Sequence, residues 1–291
     1  MIPASFDYVR PANLDETLRI LSDHAGEAKL LAGGYSLIPL LKLRFASPEL
    51  LVDLRDVAGL DAITRTDGEF RIGGRVTHRR IFEDAGLTAA LPIVHDAAGG
   101  IGDPQVRNWG TIGGSCAHAD PSSDWPAVLL ALRASIVCRS AGGERVVPAL
   151  DFFLDSFQTA IEPTEVLTEI RIPIPGARTG GAYTKLERRA GDFATVGAAV
   201  QLRLDESGRI VDIGIGLTAV AETPFAATNA EAVLRGATPG MEMYREAGAA
   251  GAEQSHPVQD AHGPVDYKLA MVREMIVRSL ERAVERATSA G

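Results

Sequence analysis

The chain has 291 residues, of which 46% are hydrophobic and 23% charged, and its formal net charge at pH 7 is −9. A chain of this size can bury more than one core, and its acidic balance argues against nucleic acid and anionic membrane surfaces as partners. Because no stretch approaches the roughly 20 apolar residues of a membrane helix and no signal peptide opens the sequence, we expect a cytoplasmic protein.

The residues that usually carry catalysis or metals do not form a recognisable set. Two cysteines, Cys116 and Cys138, are too few for a disulfide framework, a zinc site or an iron–sulfur cluster. The six histidines show no His-Glu-x-x-His pattern, and no serine lies in a nucleophile elbow. We therefore predict no metal site and no catalytic residue of its own, so that any redox cofactor is held non-covalently here or by a partner chain.

The predicted elements of residues 1–57 form a βαβ-like unit. They are a helix over 17–21, a strand over 28–31, an apolar helix over 37–45 and a strand over 50–54.

Residues 58–176 predict a second unit of mixed helices and strands. Strands are expected over 70–74, 135–139, 145–147 and 165–172, and helices over 79–85, 93–98 and 127–132. The segment 99–124 shows little periodicity, and a loop of this length inside a compact domain is typical of a functional site. Prolines and glycines over 173–181 break regular structure, which predicts a domain boundary near residue 176.

Residues 177–291 predict a small third unit. A hairpin is expected over 200–204 and 210–217, followed by three helical patterns, the last of which begins near 264. The Gly- and Ala-rich segment 248–263 is expected to be an exposed loop. The predicted elements are thus a mixture of helices and strands in all three units.

The first candidate site is a strand that ends in two glycines before an apolar helix. It reads Lys29-Leu30-Leu31-Ala32-Gly33-Gly34-Tyr35-Ser36-Leu37. Glycines let the main chain approach a ligand closely, and exposed N–H groups at a helix start can bind phosphate oxygens. The segment matches neither the Rossmann fingerprint nor the P-loop, and it can equally be a plain strand-to-helix turn.

The second candidate lies within the aperiodic segment, from Gly110 to Asp124. Thr111 and Ser115 flank a glycine pair, which offers hydroxyls and main-chain amides to a pyrophosphate. Asp124 would repel phosphate but can accept hydrogen bonds from ribityl or ribose hydroxyls. In the alternative interpretation these residues form only a turn and a helix cap. Two such loops in one chain favour a dinucleotide held from both sides.

At these residues the sequence resembles a known family. Ala32 to Pro39, and Gly102 to Asn108 leading into Thr111 to Ser115, are similar to the two FAD loops of the molybdenum hydroxylase flavoproteins. This family includes the flavin subunits or domains of xanthine dehydrogenase, quinoline-type oxidoreductases and aerobic carbon monoxide dehydrogenase. The chain resembles the carbon monoxide dehydrogenase medium subunits over its whole length.

The resemblance implies a fold and a set of cofactor contacts. The fold is a two-subdomain FAD-binding domain of the vanillyl-alcohol-oxidase (PCMH) type, with subdomains over 1–57 and 58–176, followed by a small α+β C-terminal domain over 177–291. Phe193 falls where the carbon monoxide enzymes have a tyrosine near the flavin ring. The implied FAD contacts are Lys29, Leu30, Leu31, Ala32, Gly33, Gly34, Tyr35, Ser36, Leu37, Ile101, Thr111, Gly114, Ser115, His118, Asp124, Val166, Leu167, Lys185 and Phe193.

The resemblance also implies an assembly. A large subunit would carry the molybdenum cofactor, a small subunit two 2Fe–2S clusters, and the complex would be a dimer of heterotrimers without a transmembrane segment, touching a membrane at most through partners. FAD would pass electrons from the clusters to an external acceptor such as a quinone. Three alternatives stay open: a related subunit for N-heterocycles or aldehydes, a stand-alone FAD oxidase, and a binding protein without turnover.

Overall fold

The first unit is a three-stranded parallel sheet covered by two helices. The computed structural model describes residues 2–289 and orders the strands β1-β3-β2. Asn13 caps the first helix by accepting a hydrogen bond from Glu16 N at 2.9 Å. The predicted βαβ pattern is confirmed. The elements are β1 (Asp7–Val9), α1 (Leu14–Asp23), β2 (Ala28–Leu31), α2 (Leu37–Leu43), β3 (Leu50–Asp53) and a 3₁₀ turn (Leu54–Asp56).

The second unit is an antiparallel five-stranded sheet packed against helices. Its strand order is β4-β5-β10-β6-β7, and its core is centred on the fully buried Trp125 and Phe152. The strands are β4 (Ile63–Arg65), β5 (Glu69–Gly73), β6 (Ser135–Ser140), β7 (Gly143–Pro148) and β10 (Val166–Pro173), with a small hairpin of β8 (Phe153–Asp155) and β9 (Gln158–Thr159). The helices are α3 (His78–Glu83), α4 (Ala85–Ala90), α5 (Pro92–Gly100), α6 (Pro104–Trp109), α7 (Ile112–His118), α8 (Asp124–Ala131) and α9 (Ala149–Phe152).

The third unit is an antiparallel four-stranded sheet of order β11-β12-β13-β14, covered by three helices. It has its own core, built from one face of the predicted hairpin and the apolar stripe of the last helix. Among residues 2–289, no helix is long and apolar enough to cross a membrane. The elements are β11 (Thr179–Leu186), β12 (Val196–Leu204), β13 (Ile210–Thr218), β14 (Phe225–Ala226), α10 (Thr228–Leu234), α11 (Met241–Glu253) and α12 (Val265–Ser289).

The aperiodic segment 99–124 is not a loop, and that prediction is wrong. It contains α6 and α7, each started by a side-chain cap: Asp103 accepts from Val106 N at 2.8 Å, and Thr111 accepts from Gly114 N at 3.0 Å. These helices have six and seven residues, so they are too short for a helical period to show in the sequence.

The predicted break of regular structure at 179–181 and the predicted exposed loop at 248 are both wrong, because glycine at these positions allows close packing and does not interrupt the strand or the helix. Residues 179–181 lie in β11, where a β-carbon on Gly180 would collide with the main-chain oxygen of Ala283 in α12. The supposed exposed loop 248–263 begins inside α11, where Gly248 and Gly251 are buried against Arg273 and Ile276 of α12. Helices and strands approach this closely only where no side chain intervenes.

Candidate functional site

The first candidate segment, residues 29–37, is called the first glycine loop below, and residues 110–115 are called the second. The first glycine loop contains a run of main-chain N–H groups that donate no hydrogen bond within the part of the chain that the structure describes. Within residues 2–289, no hydrogen bond is donated by the N–H groups of Gly33, Gly34, Tyr35, Ser36 or Leu37. Gly34 has φ +83°, a left-handed conformation that turns the chain between β2 and α2. Main-chain amides normally find a partner, so this run is suited to binding the oxygens of an anionic ligand.

The second loop differs from the expectation, because its amides already have partners. At the start of α7, Ile112 N donates to Val76 O and Gly113 N to Gly74 O, both at 3.0 Å, while Gly114 N donates to the Thr111 hydroxyl. The prediction of free amides at this loop is therefore wrong. The hydroxyls of Thr111 and Ser115 remain as the polar groups that this loop can offer.

The two loops are in direct contact. A β-carbon on Gly33 would collide with Trp109 O and lie 2.9 Å from the α-carbon of Gly110, and one on Gly114 would lie 4.0 Å from Ala32 Cβ. Loops about 75 residues apart in the sequence thus lie side by side, as a ligand that both of them bind requires.

The start of β10 packs beside both glycine loops. Val166 packs in the same cluster as Leu30 and Ala32 of the first loop. Gly74 N donates to Thr168 O at 2.8 Å and packs on the main chain of Leu167, and Gly113 packs in turn on Gly74. The predicted apolar contacts Val166 and Leu167 therefore lie next to both glycine loops.

A buried histidine supports the second loop from behind. His78 N donates to Gly110 O at 3.0 Å, and Trp125 Nε1 donates to His78 Nδ1 at 3.0 Å. Burial, and secondarily the positive charge of Arg107, lower the pKa of His78 to about 4. The ring is neutral at pH 7 and acts as an acceptor.

Hydroxyl groups lead from the second loop to Asp124. The Ser115 and Ser123 hydroxyls lie 2.7 Å apart, and the Thr218 hydroxyl donates to Ser123 O at 2.8 Å. Asp124 follows as the first residue of α8 and is only 6% exposed. Residue 218 belongs to β13, so this path joins the second and third units.

Asp124 is held by two side chains of β11. Tyr183 donates its hydroxyl to Oδ1 at 2.5 Å, and Lys185 Nζ lies 3.3 Å from Oδ2. Burial raises the pKa of Asp124, while Lys185 and the Tyr183 hydrogen bond act in the opposite direction. Burial also raises the pKa of Tyr183 well above its usual range, with the Asp124 charge as the next cause. Asp124 as an acceptor for sugar hydroxyls stays a prediction.

Lys185 connects this group to the end of α5. Its Nζ donates to Gly100 O at 2.8 Å and lies 3.3 Å from a Glu187 carboxylate oxygen. Ile101, the next residue, is half-buried, and its carbonyl accepts from Arg107 at 2.9 Å. Lys185, Asp124 and the backbone preceding Ile101 therefore meet at one point.

Other predicted contacts lie at the edge of this arrangement. Phe193 is 54% exposed in the loop after β11, which reaches the site where Gly191 packs on Gly102 O. His118 lies at the far end of α7, 5.1 Å from the Phe157 ring, and burial lowers its pKa. Lys29 is exposed on β2. Their roles as FAD contacts stay predictions.

Sequence reasoning missed Tyr183, Ser123 and His78. Tyr183 and Lys185 lie on one face of β11, and this alternation is a signal that the sequence does contain. The prediction does not use this signal, because Gly180 and Gly181 at the start of the strand indicate a break in regular structure when the sequence is taken alone. His78 gives no such signal, since its role depends on Trp125, 47 residues away.

The residues present fit FAD. Free amides suit its diphosphate, glycines without room for a β-carbon lie where the two loops meet, and hydroxyls and a buried ammonium group lie nearby on the second loop and β11. Over residues 2–289, no cluster of three or more His, Cys, Asp or Glu side chains could hold a metal ion.

Comparison with known proteins agrees with this geometry. The family described as the FAD binding domain in molybdopterin dehydrogenase matches residues 4–175, and the CO dehydrogenase flavoprotein C-terminal domain matches residues 181–283. The carbon monoxide dehydrogenase medium chain of Afipia carboxidovorans is 42% identical over 99% of both chains. Subunit alpha of the 6-hydroxypseudooxynicotine dehydrogenase complex of Paenarthrobacter nicotinovorans is 37% identical, over 99% of this chain and 97% of that one.

A solved structure shows the same fold. Carbon monoxide dehydrogenase from Hydrogenophaga pseudoflava matches with a TM-score of 0.95 and 42% identity, covering 98% of this chain and 99% of the matched chain. The predicted α+β architecture, an FAD-binding domain followed by a C-terminal domain, is confirmed. The chain belongs to the family of FAD-binding flavoprotein subunits of the carbon monoxide and xanthine dehydrogenase type, and its cofactor is FAD.

Proposed function

We propose that this chain is the electron-transfer flavoprotein subunit of a molybdenum hydroxylase. FAD bound here would take electrons from 2Fe–2S clusters of a small partner subunit and pass them to an external acceptor such as a quinone. The observation that carries the proposal is the contact between Gly33 and the Trp109–Gly110 main chain, which brings the two glycine loops together. Relatives named as medium chains of multi-subunit dehydrogenases support it.

The residues of the chain have distinct tasks in this proposal. The amides of residues 33–37 bind the diphosphate, and the Thr111 and Ser115 hydroxyls bind it from the opposite side. Val166 and Leu167 provide apolar contact, and Lys185 holds a positive charge beside Asp124. Bound FAD supplies the redox chemistry, and the protein supplies orientation and electrostatics.

The proposed substrate of the assembly is carbon monoxide, oxidised at a molybdenum cofactor in a large partner subunit. The similarity to carbon monoxide dehydrogenase medium chains over nearly the whole chain supports this choice. N-heterocycles and aldehydes are the second candidates, because relatives named for nicotine, caffeine and glyceraldehyde oxidation are also similar over nearly the full length.

The proposal includes an assembly, a location and a domain division. The chain would form a cytoplasmic dimer of heterotrimers with the molybdenum and iron–sulfur subunits, because electron transfer needs a fixed interface; such permanent interfaces bury roughly 2,000 Å² or more. The division is into FAD-binding subdomains over 1–57 and 58–176 and a C-terminal domain over 177–291.

The test uses the native complex, purified through a tag on this chain. We expect two co-purifying subunits, a solution mass of a dimer of heterotrimers, and FAD released into the supernatant by acid precipitation. Under anaerobic conditions, carbon monoxide should bleach the flavin band of the complex but not that of the isolated chain. Bleaching by nicotine-like compounds or aldehydes instead would favour the second candidates. Bleaching of the isolated chain by any such substrate would favour a stand-alone oxidase.

A further inference from the structure

Strand β11 is the free edge of the third sheet, and side chains satisfy its outer main-chain groups. Tyr183 N donates to Asp96 Oδ2 at 3.1 Å, and Tyr183 O accepts from Arg282 Nη1 at 3.0 Å. Gly181 O accepts from Arg286 Nη1 at 2.6 Å. An edge strand normally leaves these groups to water or to another strand. Here they are held by one residue of α5 and two of α12.

Asp96 is the centre of this arrangement. Its carboxylate accepts from Arg282 at 2.9 Å and from both terminal nitrogens of Arg286, at 2.7 and 3.0 Å. The Asp96 side chain is 9% exposed. A buried carboxylate with charge-assisted bonds to two guanidinium groups has its orientation fixed, since losing any partner would leave charge unpaired.

The ion-paired group of Asp96, Arg282 and Arg286, called the clamp below, sets the position of β11 along α5. Asp96 of α5 contacts Tyr183 of β11. Gly100 lies four residues after Asp96 on α5, and its carbonyl accepts from Nζ of Lys185, which lies two residues after Tyr183 on β11. Four helical residues rise about 6 Å and two strand residues span about 6.6 Å, so both contacts form together only in this register. A slip of β11 would remove Lys185 from Gly100 and from Asp124.

We propose that Asp96 is a positioning residue for the flavin site, acting through β11 on Lys185. The inference rests on the place of Lys185 beside the flavin in the proposed function. It adds a residue that the glycine loops do not include, and it gives the last turns of α12 a task in cofactor binding.

The test compares two ion pairs between the same units. Asp96→Asn keeps the size of the side chain but removes its charge, and Glu231→Gln does the same to a carboxylate that accepts from Arg133 at 2.5 Å and from Ile215 N, away from β11. The FAD dissociation constant of the full-length chain is measured by reconstitution of the apoprotein. The free energy of unfolding is measured by urea denaturation. We expect Asp96→Asn to raise the FAD dissociation constant about tenfold, and Glu231→Gln to change it less than about twofold at a similar loss of stability.

A double variant separates positioning from general weakening. If Asp96 acts through Lys185, adding Asp96→Asn to Lys185→Met should raise the dissociation constant by less than about twofold further. Should Asp96→Asn fail to fold, Arg286→Lys, which keeps the charge and loses the bidentate fork, takes its place. Three results would overturn the inference. They are wild-type FAD affinity in Asp96→Asn, full multiplication of the effects of Asp96→Asn and Lys185→Met on the dissociation constant in the double variant, and an equal effect of Glu231→Gln on that constant. An unchanged affinity of Lys185→Met would instead remove Lys185 from the proposed flavin site.

Discussion

Gly33 packs against the main-chain oxygen of Trp109 so closely that no β-carbon fits between them. Because the obstacle is backbone and not a flexible side chain, Gly33→Ala must push the two glycine loops apart. We expect the purified variant to lose most of its FAD, measured as the ratio of flavin to protein absorbance.

The matched control for Gly33→Ala is Gly68→Ala. A β-carbon at Gly68 meets nothing within 4 Å, and its φ is not positive. The control should therefore keep wild-type flavin content. Full FAD occupancy in Gly33→Ala would show that the loop contact is not needed to bind FAD.

Asp124→Asn should weaken FAD binding. The change removes the charge that would accept from a sugar hydroxyl of FAD, and a hydrogen bond to a charged group is worth about 1.5–3 kcal/mol, so the dissociation constant should rise about 10- to 100-fold. Asp120→Asn is the control, since Asp120 accepts from Ser122 N in a local turn and an amide oxygen can do the same. Equal affinities of both variants and wild type would contradict a role for Asp124 in the site.

Tyr183→Phe should destabilise the fold. It removes the hydroxyl donor from Asp124 Oδ1 and leaves that buried oxygen unpaired, at a cost of about 1–3 kcal/mol in the free energy of unfolding. Tyr244→Phe is the control, because Tyr244 as a whole is nearly as buried as Tyr183 while its hydroxyl has no hydrogen-bond partner within residues 2–289. Urea midpoints decide the matter: a loss in Tyr183→Phe no greater than in Tyr244→Phe would rule out the hydrogen bond as a stabilising contact.

The sequence predicted the parts of the site that depend on local pattern. The strand before Gly33 and Gly34 can be predicted because a strand, a glycine pair and an apolar helix follow one another, and β2 spans the expected residues. The short helices α6 and α7 were missed because one or two turns show no period, although the caps Asp103 and Thr111 are of the expected residue types.

The parts that could not be predicted depend on contacts between distant residues. The hydrogen bond of Tyr183 to Asp124 spans 59 positions, and that of Arg286 to Asp96 spans 190. Nothing in the local sequence of Asp96 distinguishes it from a surface residue of an amphipathic helix. Likewise, the free amides of the second loop were expected from its glycines, but Gly74 and Val76 of a different segment accept them.

His78 makes the second loop sensitive to acid. Its neutral ring accepts the Trp125 hydrogen bond, and its main-chain N–H holds Gly110 O. Burial lowers its pKa from 6.5 to about 4, so the unfolded chain binds a proton between these values and the folded chain does not. The contribution of His78 to stability is therefore fully present above pH 6.5 and is lost as the pH falls toward 4, by an amount of about 3 kcal/mol.

We accordingly expect the free energy of unfolding to fall between pH 6.5 and 4, and His78→Gln to make this fall smaller. A glutamine oxygen can accept from Trp125 Nε1 but does not titrate, so the variant is less stable at pH 7 and less dependent on pH below it. Urea unfolding followed by circular dichroism at a series of pH values measures both slopes. His24→Gln, which removes an exposed histidine, should leave the slope of the wild type unchanged. If His78→Gln keeps the full wild-type slope, the acid sensitivity arises from other groups and the neutral His78 is not its cause.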